Sequence, residues 1–146
     1  MKEDKREGGK AEMKFMCVKE AKGILITEAR KVAGLMEEEG KIDREAFWVL
    51  HLNTQNQVIE KELVSLGIVN SSVVHAREVF KRAILNSAAA IITVHNHPSG
   101  NTKPSVEDEK IWRLLNRAGE IIGIKVLDNM IITPQGGYYS EEERGR

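Results

Sequence analysis

The sequence predicts an α/β (α+β) domain in which a central, mixed sheet is flanked by helices. Short apolar runs of strand length alternate with segments whose apolar residues recur at helical spacing. At 146 residues, the chain has the size of one ordinary domain. We therefore expect a flexible N-terminal tail at residues 1–12, one domain at residues 13–140 and a charged C-terminal tail at residues 141–146.

The first half of the chain predicts an edge strand, a helix and a hairpin. The edge strand is the apolar run at residues 13–20. The helix is expected to begin at a capping Thr27 and to end at Gly40. The hairpin joins residues 46–52, "AFWVLHL", to residues 57–63, "QVIEKEL", through the turn-rich "NTQN".

The second half predicts two helices between short strands. One helix runs from residue 76 to a stop at Asn86, and the other follows Ser105 and closes at Gly119. The expected strands are the apolar runs at residues 68–69, 88–94 and 124–133, the last of which forms one or two strands.

Composition limits the classes of function. Lys plus Arg and Asp plus Glu both number 22, so no overall basic field favours nucleic acid or an anionic membrane. The single cysteine, Cys17, excludes an internal disulfide and a cysteine-ligated zinc knuckle within one chain. The charged start "MKEDKREGGK" does not resemble a signal peptide, and no run is apolar for long enough to cross a bilayer. We expect a cytoplasmic protein without membrane spans.

The stretch "TVHNHPSGNTKPSVED" at residues 93–108 indicates a metal site. Since side chains alternate along a strand, His95 and His97 would point to the same side and could reach one ion. Asp108 lies eleven residues after His97, across a loop that can return the next helix to the strand end. Two imidazoles and one carboxylate leave one position open on a tetrahedral zinc, as catalytic sites require.

A second interpretation of this stretch needs no metal. Ser105 followed three residues later by Asp108 is also the pattern of a helix N-cap. The two interpretations are compatible, because a capped first turn would hold Asp108 toward the histidines. The ligand set alone does not fix the metal, since two histidines and a carboxylate also hold non-haem Fe(II).

The chain resembles a known family at two levels. The spacing of H-x-H, seven residues, Ser, two residues and Asp is that of the JAMM (MPN/JAB) metalloprotease motif, matched by His95, His97, Ser105 and Asp108. Longer blocks between about residues 28 and 133 resemble the RadC family: "REAFWVLHLNTQNQVI", "GIVNSSVVHAREVFKRAILNSAAAIITVHNHPSG" and "GIKVLDNMIIT". The resemblance implies the JAMM/MPN, cytidine-deaminase-like architecture.

Two positions depart from the RadC pattern. Ala76 stands where the family usually has proline, and Asn129 where it commonly has histidine. Neither is a proposed ligand. Longer RadC proteins carry a helix-hairpin-helix module before this domain. We do not expect that module here, and it would be the best reason to expect duplex DNA binding.

The resemblance also implies roles for two further residues. By position, Glu45 is the glutamate that acts as general base in JAMM enzymes, while Glu60, Glu62 and Glu78 are weaker alternatives. Ser105 would donate a hydrogen bond to the oxyanion as it forms, in addition to any capping.

The resulting functional hypothesis is a zinc-dependent hydrolase of the JAMM type that acts on a peptide or protein substrate at a peptide or isopeptide bond. One alternative is a DNA-associated repair or recombination protein, or a metal-dependent nuclease, of the RadC type. The zero net charge counts against it. Another alternative is a non-catalytic MPN binding module. The sequence leaves the substrate and the oligomeric state open.

Overall fold

The predicted mixed sheet forms the centre of the domain. The computed structural model describes residues 22–145, so the expected tail at residues 1–12 and edge strand at residues 13–20 lie outside it. Within this range, one sheet has the strand order β2-β1-β3-β4-β5. Its strands are β1 (Ala46–Leu52), β2 (Val58–Leu66), β3 (Ala90–Asn96), β4 (Lys125–Ile132) and β5 (Tyr138–Ser140). Only the pair β3 and β4 is parallel within this sheet, and the other three pairs are antiparallel.

Helices cover both faces of the sheet. They are α1 (Ala29–Leu35), α2 (Glu37–Gly40), α3 (Ala76–Leu85), α4 (Val106–Ile122) and α5 (Glu141–Arg144). This arrangement confirms the predicted fold class. No helix within residues 22–145 is long and apolar enough to span a bilayer.

Each face of the sheet carries its own apolar core. On one face, Trp48 of β1 belongs to a cluster of buried side chains that includes Val32 of α1. On the other face, Phe47 of β1 clusters with Leu115 of α4. Because alternate residues of a strand face opposite sides, His95 of β3 lies on the second face, toward α3 and α4. The candidate site therefore lies where the sheet meets α4.

The structure corrects the predicted start of the first helix. Glu28 occupies the N-cap position with an extended backbone (φ −159°, ψ 163°), and no side chain caps α1. The prediction of Thr27 as the cap was wrong, because the chain is still extended one residue beyond it. The helix ends at Gly40 as predicted, although Met36 divides it into α1 and α2.

Two strand predictions also change. Residues 68–69 do not form a strand, because Gly67 adopts a φ of +111° and Ile68 is 72% exposed beyond it. The sequence did not predict β5, a strand of three residues that pairs antiparallel with β4 after a turn. The predicted strands at residues 46–52 and 88–94 are confirmed, the latter with its bounds at residues 90–96.

The prediction that Gly119 closes the long helix was wrong. The helix α4 continues to Ile122 and ends at Gly123, which adopts a left-handed φ of 87°. Gly119 instead allows a close approach of two chain segments, because a Cβ atom there would lie 2.6 Å from the carbonyl oxygen of Ile124. A glycine that permits close packing and one that ends a helix look alike in sequence.

The segment expected as a charged tail begins with the short helix α5. Its backbone N–H at Glu142 donates to Asp128 of β4 at 2.9 Å, and Ser140 Oγ donates to the same carboxylate at 2.5 Å. Asn129 Nδ2 donates to Glu141 Oε1 at 3.0 Å. Polar side chains of β4 therefore hold the start of this segment on the domain.

Replacing Gly119 with alanine should destabilise the domain, although alanine normally favours a helix. The added Cβ would collide with the Ile124 carbonyl, so we expect a loss of about 1–3 kcal/mol in the free energy of unfolding, measured in urea. The matched control is Gly34→Ala in α1, where no atom lies within 4 Å of the new Cβ. That variant should gain roughly 0.5–1 kcal/mol. Equal effects at both positions would contradict the close approach at Gly119.

Candidate metal centre

Two neighbouring elements deliver the histidines and the aspartate. His95 lies in β3, and the backbone N–H of His97, just beyond the strand, donates to the carbonyl of Ile132 in β4 at 2.9 Å. After the intervening loop, Asp108 lies in the first turn of α4. The parallel pairing of β3 and β4 thus fixes the end of the strand from which both imidazoles project.

The predicted helix cap is present at the start of α4. Ser105 Oγ accepts a hydrogen bond from the backbone N–H of Asp108 at 3.0 Å, and Asp108 Oδ2 accepts one from the backbone N–H of Ser105 at 2.8 Å. This reciprocal pair is a capping box. It fixes the backbone and the side chain of Asp108 together.

The carboxylate of Asp108 contacts both histidines. Its Oδ1 lies 3.0 Å from His95 Nδ1, and its Oδ2 lies 3.1 Å from His97 Nε2. The rings of His95 and His97 meet edge to face, with centroids 4.8 Å apart. One ligand atom from each of the three residues lies within 4.8 Å of the others, so this group could hold a metal ion.

Contacts within this group shift the pKa values of Asp108 and His97. Burial opposes the charge of Asp108, but hydrogen bonds from His95, His97 and the Ser105 backbone outweigh it and hold its pKa far below the ordinary value. Burial likewise opposes the charge of His97, yet its hydrogen bonds to Asp108 and to the carbonyl of Asn101 raise its pKa. Both ring nitrogens of His97 face hydrogen-bond acceptors, an arrangement that favours the protonated ring.

Two features fit a bound cation. His95 Nε2 is buried and has no hydrogen-bond partner among the described residues. The carbonyl oxygen of Asn101 accepts from His97 Nδ1 at 2.7 Å, which leaves Nε2 of that ring as the atom that could bind a metal once its proton is lost. A cation would satisfy the first nitrogen and replace the proton on the second.

Glu45 lies beside this group. It immediately precedes β1, and its Oε1 lies 3.5 Å from His95 Nε2. The backbone N–H of Val69 donates to its other oxygen, Oε2, at 3.4 Å. The side chain is 39% exposed, so it contacts both the candidate metal group and solvent.

The other candidate glutamates are engaged elsewhere. Glu60 pairs with Arg82, and Glu62 lies 3.1 Å from His51 Nε2 in a buried contact. Glu78 lies in the first turn of α3. Among the glutamates weighed from the sequence, the structure brings only Glu45 next to a candidate ligand.

An open groove leads to the site. It encloses about 750 Å³ and is lined by residues 43–45 on one side and by residues between His97 and Val106 on the other. Glu45, His97 and Ser105 are part of its wall. His95 and Asp108 are each 2% exposed and contact these wall residues from the interior. A substrate in the groove would therefore meet the candidate base and the serine hydroxyl directly.

Comparison with known proteins identifies the family. A family profile described as "RadC-like JAB domain" matches residues 26–146. The chain belongs to this family. This RadC-like domain is similar to UPF0758 proteins from several bacteria, with identity spread over most of its length.

Three of these relatives show the extent of the match. The chain is 58% identical over 103 residues to a UPF0758 protein of Desulforudis audaxviator, which covers 70% of the chain and 45% of that protein. It is 54% identical over 110 residues to one of Desulforamulus reducens (75% and 48%) and 51% identical over 121 residues to one of Moorella thermoacetica (82% and 52%). The RadC-like domain thus spans about half the length of these relatives.

Sequence reasoning missed two residues that support the site. Asn101 fixes the ring of His97 through its backbone carbonyl, so its amino-acid type carries no signal. Asn96 stands between the two histidines and makes two hydrogen bonds to the segment around Glu45. The available signal in the sequence was an asparagine at the end of an apolar run, between the two histidines of the candidate motif.

Zinc, used as a probe, should bind the RadC-like domain less tightly as the pH falls. Because the pKa of His97 is raised, a metal must displace its proton, and the apparent affinity should fall about tenfold per pH unit below that pKa. Titration calorimetry between about pH 5 and pH 8 measures this slope. His75→Gln, at a histidine outside the group, is the control and should keep the same slope. An affinity that does not depend on pH would contradict the expected competition between the metal and a proton at His97.

Proposed function

We propose that this RadC-like domain is a zinc-dependent hydrolase of the JAMM type that cleaves a peptide or isopeptide bond. The observation that carries the proposal is the position of Glu45, whose Oε1 lies 3.5 Å from His95 Nε2 at the wall of an open groove. A carboxylate that is accessible to solvent and adjacent to a candidate ligand group is suited to general base catalysis.

His95, His97 and Asp108 would hold the metal. Their donor set of two imidazoles and one carboxylate suits zinc. When bound, zinc supplies a water whose pKa is lowered to roughly 7. The capping box keeps Asp108 in place for this role, since both of its oxygens and its backbone N–H are already oriented.

Glu45 would carry the proton. The Val69 N–H occupies Oε2, which leaves Oε1 toward His95 and the groove. Glu45 would take a proton from the attacking water at this oxygen and return it to the nitrogen of the leaving amine, so that one proton is moved and none is lost. Its partial exposure allows the carboxylate to reach a substrate in the groove.

Ser105 would stabilise the developing oxyanion. Its Oγ accepts from the Asp108 N–H, which leaves the hydroxyl hydrogen free to donate to another oxygen. The residue is exposed and lines the groove, so that oxygen would be the carbonyl oxygen of the scissile bond.

Metal analysis of protein purified without added metal tests the first part of the proposal. We expect about one zinc per chain, and His95→Ala or Asp108→Ala should lower the bound metal by at least about tenfold, since each removes one of three ligands. Elemental analysis by mass spectrometry measures the content. A wild-type chain that binds no zinc after incubation with the metal would contradict the proposal, and iron at full occupancy would replace zinc in it.

Glu45→Gln tests the base separately from the metal. This variant should keep its zinc and lose about 10²–10⁴-fold in kcat, because glutamine keeps the shape of the side chain but cannot take a proton. Hydrolysis of a fluorogenic library of peptides and isopeptide-linked dipeptides measures the rate. Asp43→Asn is the matched control, since Asp43 lines the same groove and, within residues 22–145, forms an ion pair with its neighbour Arg44 and not with a candidate ligand. Zinc-loaded wild type without hydrolysis, or full activity in Glu45→Gln, would contradict the catalytic assignment.

A further inference from the structure

Asn96 links the strand that carries a candidate ligand to the segment that carries the candidate base. It is the last residue of β3 and is completely buried. Its Oδ1 accepts a hydrogen bond from the backbone N–H of Ala46 at 2.6 Å, and its Nδ2 donates to the backbone carbonyl of Arg44 at 2.9 Å. The side chain thus binds the chain on both sides of Glu45.

The chemistry of the two bonds fixes the amide in one orientation. An N–H can only donate and a carbonyl can only accept, so the oxygen of Asn96 must face Ala46 and its nitrogen must face Arg44. Aspartate could not donate to the carbonyl, and the hydroxyl of serine or threonine is too short to span both groups. Asparagine therefore has the length and the polarity that these two hydrogen bonds, here called the clamp, require.

The clamp continues the strand pairing where the backbone ladder stops. The antiparallel register of β1 and β3 ends at the pair Phe47 and His95. One residue further along β3, the side chain of Asn96 forms the next hydrogen bonds, to the Ala46 N–H and the Arg44 carbonyl. Since neighbouring residues of a strand face opposite sides, β3 presents His95 on one face and anchors the backbone of Glu45 from the other.

We propose that Asn96 is a positioning residue for Glu45, which holds the carboxylate at the distance from the metal group that catalysis requires. This inference rests on the proposed function of Glu45 as the base. Without Asn96, Glu45 would keep the bond from the Gly67 N–H to its carbonyl at 2.8 Å and the bond from the Val69 N–H to its Oε2 at 3.4 Å, but both bonds to its flanking residues would be lost. The backbone of Glu45 could then shift relative to β3, while the candidate ligands His95, His97 and Asp108 would keep their own contacts.

The cobalt(II)-loaded protein offers a test that needs no substrate. Cobalt(II) takes the ligands of zinc and has a visible spectrum that changes when a group at the metal ionises. A carboxylate next to the metal shifts the midpoint of that change, so Glu45→Gln should move it by about one pH unit. We expect Asn96→Ala to bind cobalt with wild-type affinity and to move the midpoint in the same direction and to a comparable extent. In the double variant, Asn96→Ala should add nothing to the shift of Glu45→Gln.

Asn129→Ala is the matched control. Asn129 is also a fully buried asparagine, on the neighbouring strand β4, and accepts from Thr93 Oγ1 at 2.5 Å. Its other bonds, to Asn116 and Glu141, lead away from Glu45. The control should therefore lose stability, as Asn96→Ala does, and keep the wild-type midpoint.

The outcomes separate this inference from the proposed function. An unshifted midpoint in Asn96→Ala, a shift that adds to that of Glu45→Gln, or a loss of cobalt binding would overturn the positioning role while leaving Glu45 as the base. An unshifted midpoint in Glu45→Gln would instead overturn the role of Glu45. If Asn96→Ala does not fold, Asn96→Thr replaces it, because threonine favours strands and still cannot span both groups.

Hydrogen exchange of the metal-free protein gives a second readout. The Ala46 N–H should exchange about tenfold faster in the Asn96 variant than in wild type, relative to amides in the centre of β1. Unchanged protection of the Ala46 N–H would overturn the clamp itself.

Discussion

The candidate site depends on the carboxylate of Asp108. It completes the capping box of α4 through Ser105 and at the same time contacts the imidazoles of His95 and His97. These partners hold its pKa far below the ordinary value, so it stays an anion inside the domain despite its burial. One side chain thus accepts a hydrogen bond from a backbone N–H at the start of a helix and supplies the negative charge that a cation would balance. Removing it would leave the buried imidazole of His95, the half-buried imidazole of His97 and a helix start without their common partner.

The mixed sheet brings the remaining groups to this carboxylate. The parallel pair of β3 and β4 fixes where the histidines leave the sheet, while the antiparallel pair of β1 and β3 brings Glu45 to the same edge. The alternation of β3 then separates two tasks, because His95 faces α4 and Asn96 faces the backbone around Glu45. The end of β3 therefore positions His95 and the segment around Glu45, and the capped start of α4 positions Asp108, which suits a site that needs a fixed geometry.

Local patterns predicted the parts of this arrangement that local chemistry decides. The strand at residues 46–52 and the cap at Ser105 follow from apolar runs and from a hydroxyl three residues before a carboxylate. The contacts that cross the fold could not be read in this way. Gly119 has the pattern of a helix end, yet it lacks a side chain because the Ile124 carbonyl packs closely against it. The hydrogen-bond partners of Asn96 lie fifty residues or more away in sequence. The family resemblance supplied the proposed role of Glu45, which no local pattern indicates.

A crystal structure of the zinc-loaded chain, with anomalous diffraction at the zinc edge, tests the central claim most directly. We expect one zinc peak within about 2.0–2.2 Å of a nitrogen of His95, a nitrogen of His97 and an oxygen of Asp108. The carboxylate of Glu45 should face the ion from beyond bonding distance, with Asn96 still bound to the Arg44 carbonyl and the Ala46 N–H. A peak at other residues, or Glu45 turned away from the ion, would contradict the account.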